Sequence, residues 1–206
     1  MVDPLLEGFS RFRQQHYEGK EALMPRLVEE GQTPEYFIVS CIDSRANPGT
    51  IFQPRPGTFF AHKAMGAIVR PYKQGTALSA ALQFALIYNK VREIIILGHT
   101  GCGAIKALVE EVEDPEIASF IDVAQTGLEK AKECCGNSCT HNQLLRHAEE
   151  QIVLQSTENL ATYPSVKIAL SENRLKIKSW LFDMESGNLL EYCDKEKSFL
   201  PITDHE

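Results

Sequence analysis

The sequence predicts an α/β fold: a central, mainly parallel β-sheet flanked by helices, with an N-terminal helical arm. Three observations predict it. Short apolar runs recur at residues 36–40, 58–62 and 93–98, and longer stretches between them carry helical periodicity. Residues 175–182 alternate apolar and polar side chains like a half-exposed strand. Before Gly31, Leu5, Leu6, Phe9, Phe12, Leu23, Leu27 and Val28 repeat at the spacing of two short helices that wrap another surface. The 206 residues suit one domain over 1–206, with the arm at 1–31 and the core at 35–193.

Each element has a local reason. Gly31 and Pro34 stop the arm, and Tyr36-Phe-Ile-Val-Ser40 follows as a buried strand. Residues 46–57 hold Pro48, Gly49, Pro54, Pro56 and Gly57, which predicts mostly loop. Thr76 caps a helix over 77–88 whose lack of charge predicts deep burial. A third strand over 93–98 leads into a helix over 101–112. The charged stretch 110–116 reads as a solvated helix end and loop. Thr140 and Gln143 form a capping box that opens a helix to about residue 160. Residues 166–170 begin the next segment, and 183–187 make a turn after the last strand.

Composition narrows the function. The formal net charge of -7 and the absence of a basic patch argue against nucleic acid as a partner. The first residues lack a basic-then-apolar leader, and no apolar stretch is long enough for a bilayer, so a cytoplasmic protein without membrane contact is expected. In such a setting the six cysteines read as ligands or free thiols. Cys134, Cys135 and Cys139, with His141 and His147, match no strong zinc spacing and read as free thiols on a mobile loop, with a second metal site or a redox switch as the alternative.

Two motifs carry chemistry. Cys41-Ile-Asp43-Ser-Arg45 follows the first strand, and His99-Thr-Gly-Cys102 follows the third. In an open α/β sheet, ligands gather beyond the carboxyl ends of strands. If the two strands are neighbours, two thiols and an imidazole meet. Three such ligands leave a fourth zinc position for water, as in catalytic rather than closed structural sites. Gly98, Gly101 and Gly103 allow a tight turn around the ion. Asp43 supplies an acid beside the site and Arg45 a cation to hold it ionised.

These motifs, with Gln32-Thr-Pro34, Pro56-Gly57, 98–103, 159–164 and the stretch 175–187 bearing Trp180, resemble the β-class carbonic anhydrases. The likeness runs from about residue 8 to 192. It implies one Zn2+ per chain on Cys41, His99 and Cys102. It implies reversible hydration of carbon dioxide to bicarbonate and a proton by a zinc-bound hydroxide. Asp43 would orient that hydroxide and Arg45 would keep Asp43 off the metal. Gln32 and the Gly103 N–H would contact substrate, and Phe60, Met65 and Phe84 would line the CO2 pocket. The family also implies a homodimer or homotetramer, with residues 4–30 embracing a partner subunit. Two thiolates cancel the charge of the ion, so activity is expected to climb between pH 7 and 9.

Departures from the family pattern leave alternatives. Lys63-Ala-Met-Gly-Ala67 lacks the Arg and both Asn usual there, and Phe84 replaces a common Tyr. The more apolar wall motivates carbonyl sulfide or carbon disulfide hydrolysis as an alternative. A non-catalytic zinc protein, with Asp43 filling the fourth position, is another, against which Arg45 argues. A regulatory bicarbonate pocket of Trp, Arg and Tyr known in one subgroup is replaced by Ile38, Lys63 and Phe182. The resting state is therefore expected to be open and water-bound. His62 is a proton-shuttle candidate by proximity alone and reads more simply as a surface or interface histidine.

Overall fold

A computed structural model describes residues 3–19, 22–136 and 138–202. The predicted arm and domain at 1, 2, 20, 21 and 203–206 lie outside the described residues, as does residue 137 of the cysteine-rich loop. The chain begins with α1 (Pro4–Tyr17) and α2 (Leu23–Glu30). Asp3 caps α1 by accepting from the Leu5 N–H at 2.8 Å, with Pro4 in the first turn. No side chain of α1 is buried; Leu5 is 81% exposed. The apolar side chains of α1 are thus largely uncovered within this chain, whereas Leu23 of α2 is buried.

The core follows as β1 (Tyr36–Ser40), α3 (Pro48–Phe52), β2 (Phe59–Lys63), α4 (Ala77–Gln83), β3 (Glu93–His99) and α5 (Gly103–Val109). Then come α6 (Pro115–Ile121), α7 (Gln125–Cys135), α8 (His141–Leu160), α9 (Pro164–Ser171), β4 (Lys176–Phe182), β5 (Leu189–Cys193) and β6 (Ser198–Pro201). The six strands lie in the order β2-β1-β3-β4-β5-β6. The first four are parallel; β5 and β6 add antiparallel, carrying the sheet past residue 193. The sheet is therefore mainly parallel, as expected. No helix among the described residues is long and apolar enough to cross a membrane.

Two faces of the sheet bury different clusters. Phe37, Val39, Ile94 and Ile96 pack beneath α4, α8 and α9 with Leu82, Leu86, Val153 and Val166. Ile38, Ile95 and Leu97 face the other way, onto Phe52, Trp180 and Phe182. Adjacent residues thus serve opposite faces, which is why these strands read as continuous apolar runs. A third cluster joins Cys41 and Cys102 to α5, α6, α7 and α8 through Ile105, Ile121, Leu128 and Ile152.

Several local expectations change. Residues 46–57 are not all loop: Asn47 accepts from the Gly49 N–H at 2.8 Å and Pro48 starts α3. The same device, Asp114 followed by Pro115, starts α6 within the stretch read as a solvated loop. In both, an Asx cap before Pro outweighs the breaker signal of proline. The helix from Thr76 loosens into a π-helical turn over Phe84–Tyr88. Cys135 and Cys139 are joined in a disulfide rather than free. The end of α7 and the Thr140 cap of α8 bring their Cα atoms to 5.2 Å, within disulfide reach. Cys134 remains free and exposed.

Candidate metal centre

The topology places both motifs at one point. From β1 the chain goes to β2 on one side and then to β3 on the other. The reversal leaves a crevice at the carboxyl ends of β1 and β3, which pair directly, with Ser40 opposite Leu97. Cys41 follows β1 and His99 ends β3. The turn after His99 uses Gly101 at φ 64, a left-handed conformation that glycine adopts without steric cost. Cys102 then precedes the first residue of α5.

The donor atoms of Cys41, His99 and Cys102 all lie within 4.8 Å of one another, and all three residues are buried. The two Sγ atoms are 3.9 Å apart. Cys41 Sγ accepts from the Gly66 N–H at 3.3 Å and the Asp43 N–H at 3.4 Å. The hydrogen bond from Cys102 lowers the Cys41 pKa most, helped by His99 and these two N–H groups. Cys102 is pushed up by its hydrogen bond to Cys41 and then by burial. The pair therefore loses its first proton readily and resists losing the second. Burial opposes charging His99, but Cys41, the Thr100 carbonyl and Asp43 together raise it.

His99 Nδ1 lies 3.0 Å from the Thr100 carbonyl oxygen, which places its proton there. Nε2 is then a buried lone pair with no hydrogen-bond partner. A buried polar atom without a partner calls for a ligand. Two thiolates and an imidazole are the soft and borderline donors that zinc takes, so the residues fit that ion.

Asp43 stands beside this cluster. Its Oδ1 accepts from Arg45 N–H at 2.9 Å and from Arg45 Nε at 3.0 Å, and Oδ2 accepts from Nη2 at 2.8 Å. The guanidinium holds the carboxyl well below the usual carboxylate range. Oδ2 also lies 4.0 Å from His99 Nε2. Arg45 Nη2 reaches the Gly101 carbonyl at 3.3 Å, so one side chain ties the two motifs together.

The other expected site residues divide. Met65 packs in the cluster of Cys41 and Cys102. Phe60 belongs to the α4–α8 face and meets Phe84 edge-on, with ring centroids 5.7 Å apart; Phe84 is 52% exposed. Gln32 is exposed between α2 and β1, and Gly103 is exposed at the start of α5. Ile38 and Phe182 share one apolar cluster, while Lys63 donates to Ser40 Oγ at 3.1 Å. His62 is half-buried on a cavity of about 510 Å³ with Tyr72 and Tyr163.

One residue escaped the sequence reading. Glu149 of α8 is 5% exposed, and its Oε1 accepts from the Cys102 N–H at 3.0 Å. Burial pushes its carboxyl up to about 7 against the pull of the backbone N–H and of Arg146. A signal existed: Glu149 falls in the buried stripe with Ala148, Ile152 and Val153.

Comparison with known proteins agrees with this geometry. The profile of the carbonic anhydrase family matches residues 36–189. The carbonic anhydrase of Pseudomonas aeruginosa is 28% identical over 207 residues, covering 98% of this chain and 92% of that protein. Carbonic anhydrase 1 of Escherichia coli O157:H7 is 29% identical, over 96% of this chain and 91% of that protein. Among solved structures, the β-carbonic anhydrase CcaA is similar with a TM-score of 0.86 at 26% identity, covering 98% of this chain and 92% of that one. The chain belongs to the β-carbonic anhydrases, enzymes whose general reaction is the hydration of carbon dioxide.

Proposed function

We propose that this chain hydrates carbon dioxide reversibly to bicarbonate and a proton, using one zinc ion held by Cys41, His99 and Cys102. The convergence of these three buried donors beside an arginine-held carboxylate supports the reading most directly. Zinc in such a site supplies a nucleophile near neutral pH by lowering the pKa of water. Asp43 accepts a hydrogen bond from the attacking oxygen and so aims its lone pair at the substrate carbon. Arg45 occupies both Asp43 oxygens and thereby keeps the carboxylate from taking a ligand position itself. Met65 gives the substrate an apolar neighbour, and Phe60 with Phe84 extends that wall. Gln32 and the Gly103 N–H bind the polar ends of substrate and product.

The uncovered face of α1 supports assembly as a dimer or tetramer, and a solved relative from Sordaria macrospora is described as tetrameric. The test of the reaction is stopped-flow CO2 hydration on zinc-loaded protein, with carbonyl sulfide assayed on the same preparation. Fast hydration with one zinc per chain is expected. Turnover of carbonyl sulfide without hydration would transfer the assignment to that substrate.

A further inference from the structure

Glu149 is the one buried carboxylate among the described residues. An isolated carboxyl away from water is costly unless hydrogen-bonded. Its bond goes to the backbone N–H of Cys102, the residue preceding α5. The placement is built into the packing. Val153 lies one turn beyond Glu149 on the same face of α8. A Cβ on Gly98 would come within 2.3 Å of Val153 Cγ2, so only glycine lets α8 approach β3 this closely. From the other side, α7 presses on α8, where a Cβ on Gly127 would meet Ile152 Cγ1 at 2.9 Å.

The turn from His99 to Cys102 is thus gripped peptide by peptide. The Phe182 carbonyl accepts from the Thr100 N–H at 3.0 Å. Arg45 donates to the Gly101 carbonyl, and Glu149 accepts from Cys102. We infer that Glu149 is a positioning residue that sets the Cys102 thiol against Cys41 and His99 by holding the Cys102 backbone from behind. The inference rests on reading these three residues as metal ligands. Its working part is an acceptor oxygen at the Oε1 position. Groups that orient a ligand in this way typically contribute about 10–100-fold to metal affinity.

The test compares E149Q, E149M and E149A with the parent protein. Glutamine keeps the acceptor, methionine keeps the bulk without it, and alanine removes both. Thermal unfolding establishes that each variant is folded, and two acceptor-less replacements of different size guard against one failing to fold. Zinc is titrated against a chromophoric chelator, and thiolate-to-cobalt absorption is recorded after Co2+ substitution. E149Q is expected within about threefold of the parent in zinc affinity. E149M and E149A are expected to bind zinc at least about 10-fold more weakly, with a shifted cobalt band. Parent-like affinity in E149M and E149A overturns the inference. So does an E149Q that weakens as much as they do. A parent protein that binds no zinc would instead overturn the ligand assignment beneath it.

Discussion

Asp43 and Glu149 flank the same three candidate ligands, Cys41, His99 and Cys102, and meet opposite conditions. Asp43 lies on the open side, where a bidentate guanidinium keeps it ionised and aimed. Glu149 lies behind the Cys102 backbone, where burial raises its pKa and main-chain N–H groups, Cys102 first, act against that rise. One carboxyl lies beside the crevice at the strand ends, and the other is buried behind the Cys102 backbone, on a cavity it shares with Arg146 and Asp183. The comparison teaches that residue type says little about role at such a site. The partner and the depth decide it: a side-chain cation near solvent leaves a carboxylate for chemistry, whereas a buried main-chain partner commits it to geometry.

The largest effect should come from removing the group both carboxyls serve. C41A is expected to lose tight zinc binding and about 100-fold or more of hydration activity, because two remaining ligands cannot hold the ion. Metal analysis and stopped-flow assay check this; full zinc and full rate in C41A would remove the premise. D43A acts on the open side alone. Its hydration rate should fall roughly 100-fold while zinc content stays near one per chain, since only the oriented proton acceptor is lost. Zinc loss in parallel with activity would make Asp43 a structural partner like Glu149.

G98A acts on the α8 side without touching either carboxyl. The new methyl collides with Val153, and thermal or denaturant unfolding should show about 1–3 kcal/mol of destabilisation. Its zinc affinity should fall in the direction of E149M, and stability loss with unchanged affinity would uncouple α8 from Cys102. The smallest effect belongs to His62, on the cavity with Tyr72 and Tyr163, whose pKa burial lowers. Below the ordinary value of about 6.5 the unfolded chain takes up this proton before the folded one, so stability falls with decreasing pH through the folded pKa. H62Q should flatten that part of the stability profile between pH 7 and 5, and identical profiles would place His62 in solvent.

Much of this was legible in the chain. Strands over 36–40 and 93–98 showed themselves as apolar runs because both faces of the sheet are covered. The motifs after them were visible because a turn around three donors needs Cys, His and Gly at fixed spacing. The helices α3 and α6 were obscured because proline is both a breaker and a favoured first residue, and only the Asx cap before it decides. The Cys135–Cys139 bond depends on where two helix ends stop, which spacing alone does not state. Glu149 was hidden for a different reason. Its partner is a backbone N–H, and a main-chain donor leaves no mark on the residue type at position 102.

The decisive experiment is stopped-flow CO2 hydration from pH 7 to 9 on zinc-loaded protein, with D43A alongside. Fast hydration that climbs over this range, and falls about 100-fold in a D43A protein that retains its zinc, is the expected result. Negligible hydration by the parent protein with one zinc bound per chain would contradict the assignment of this centre to carbon dioxide.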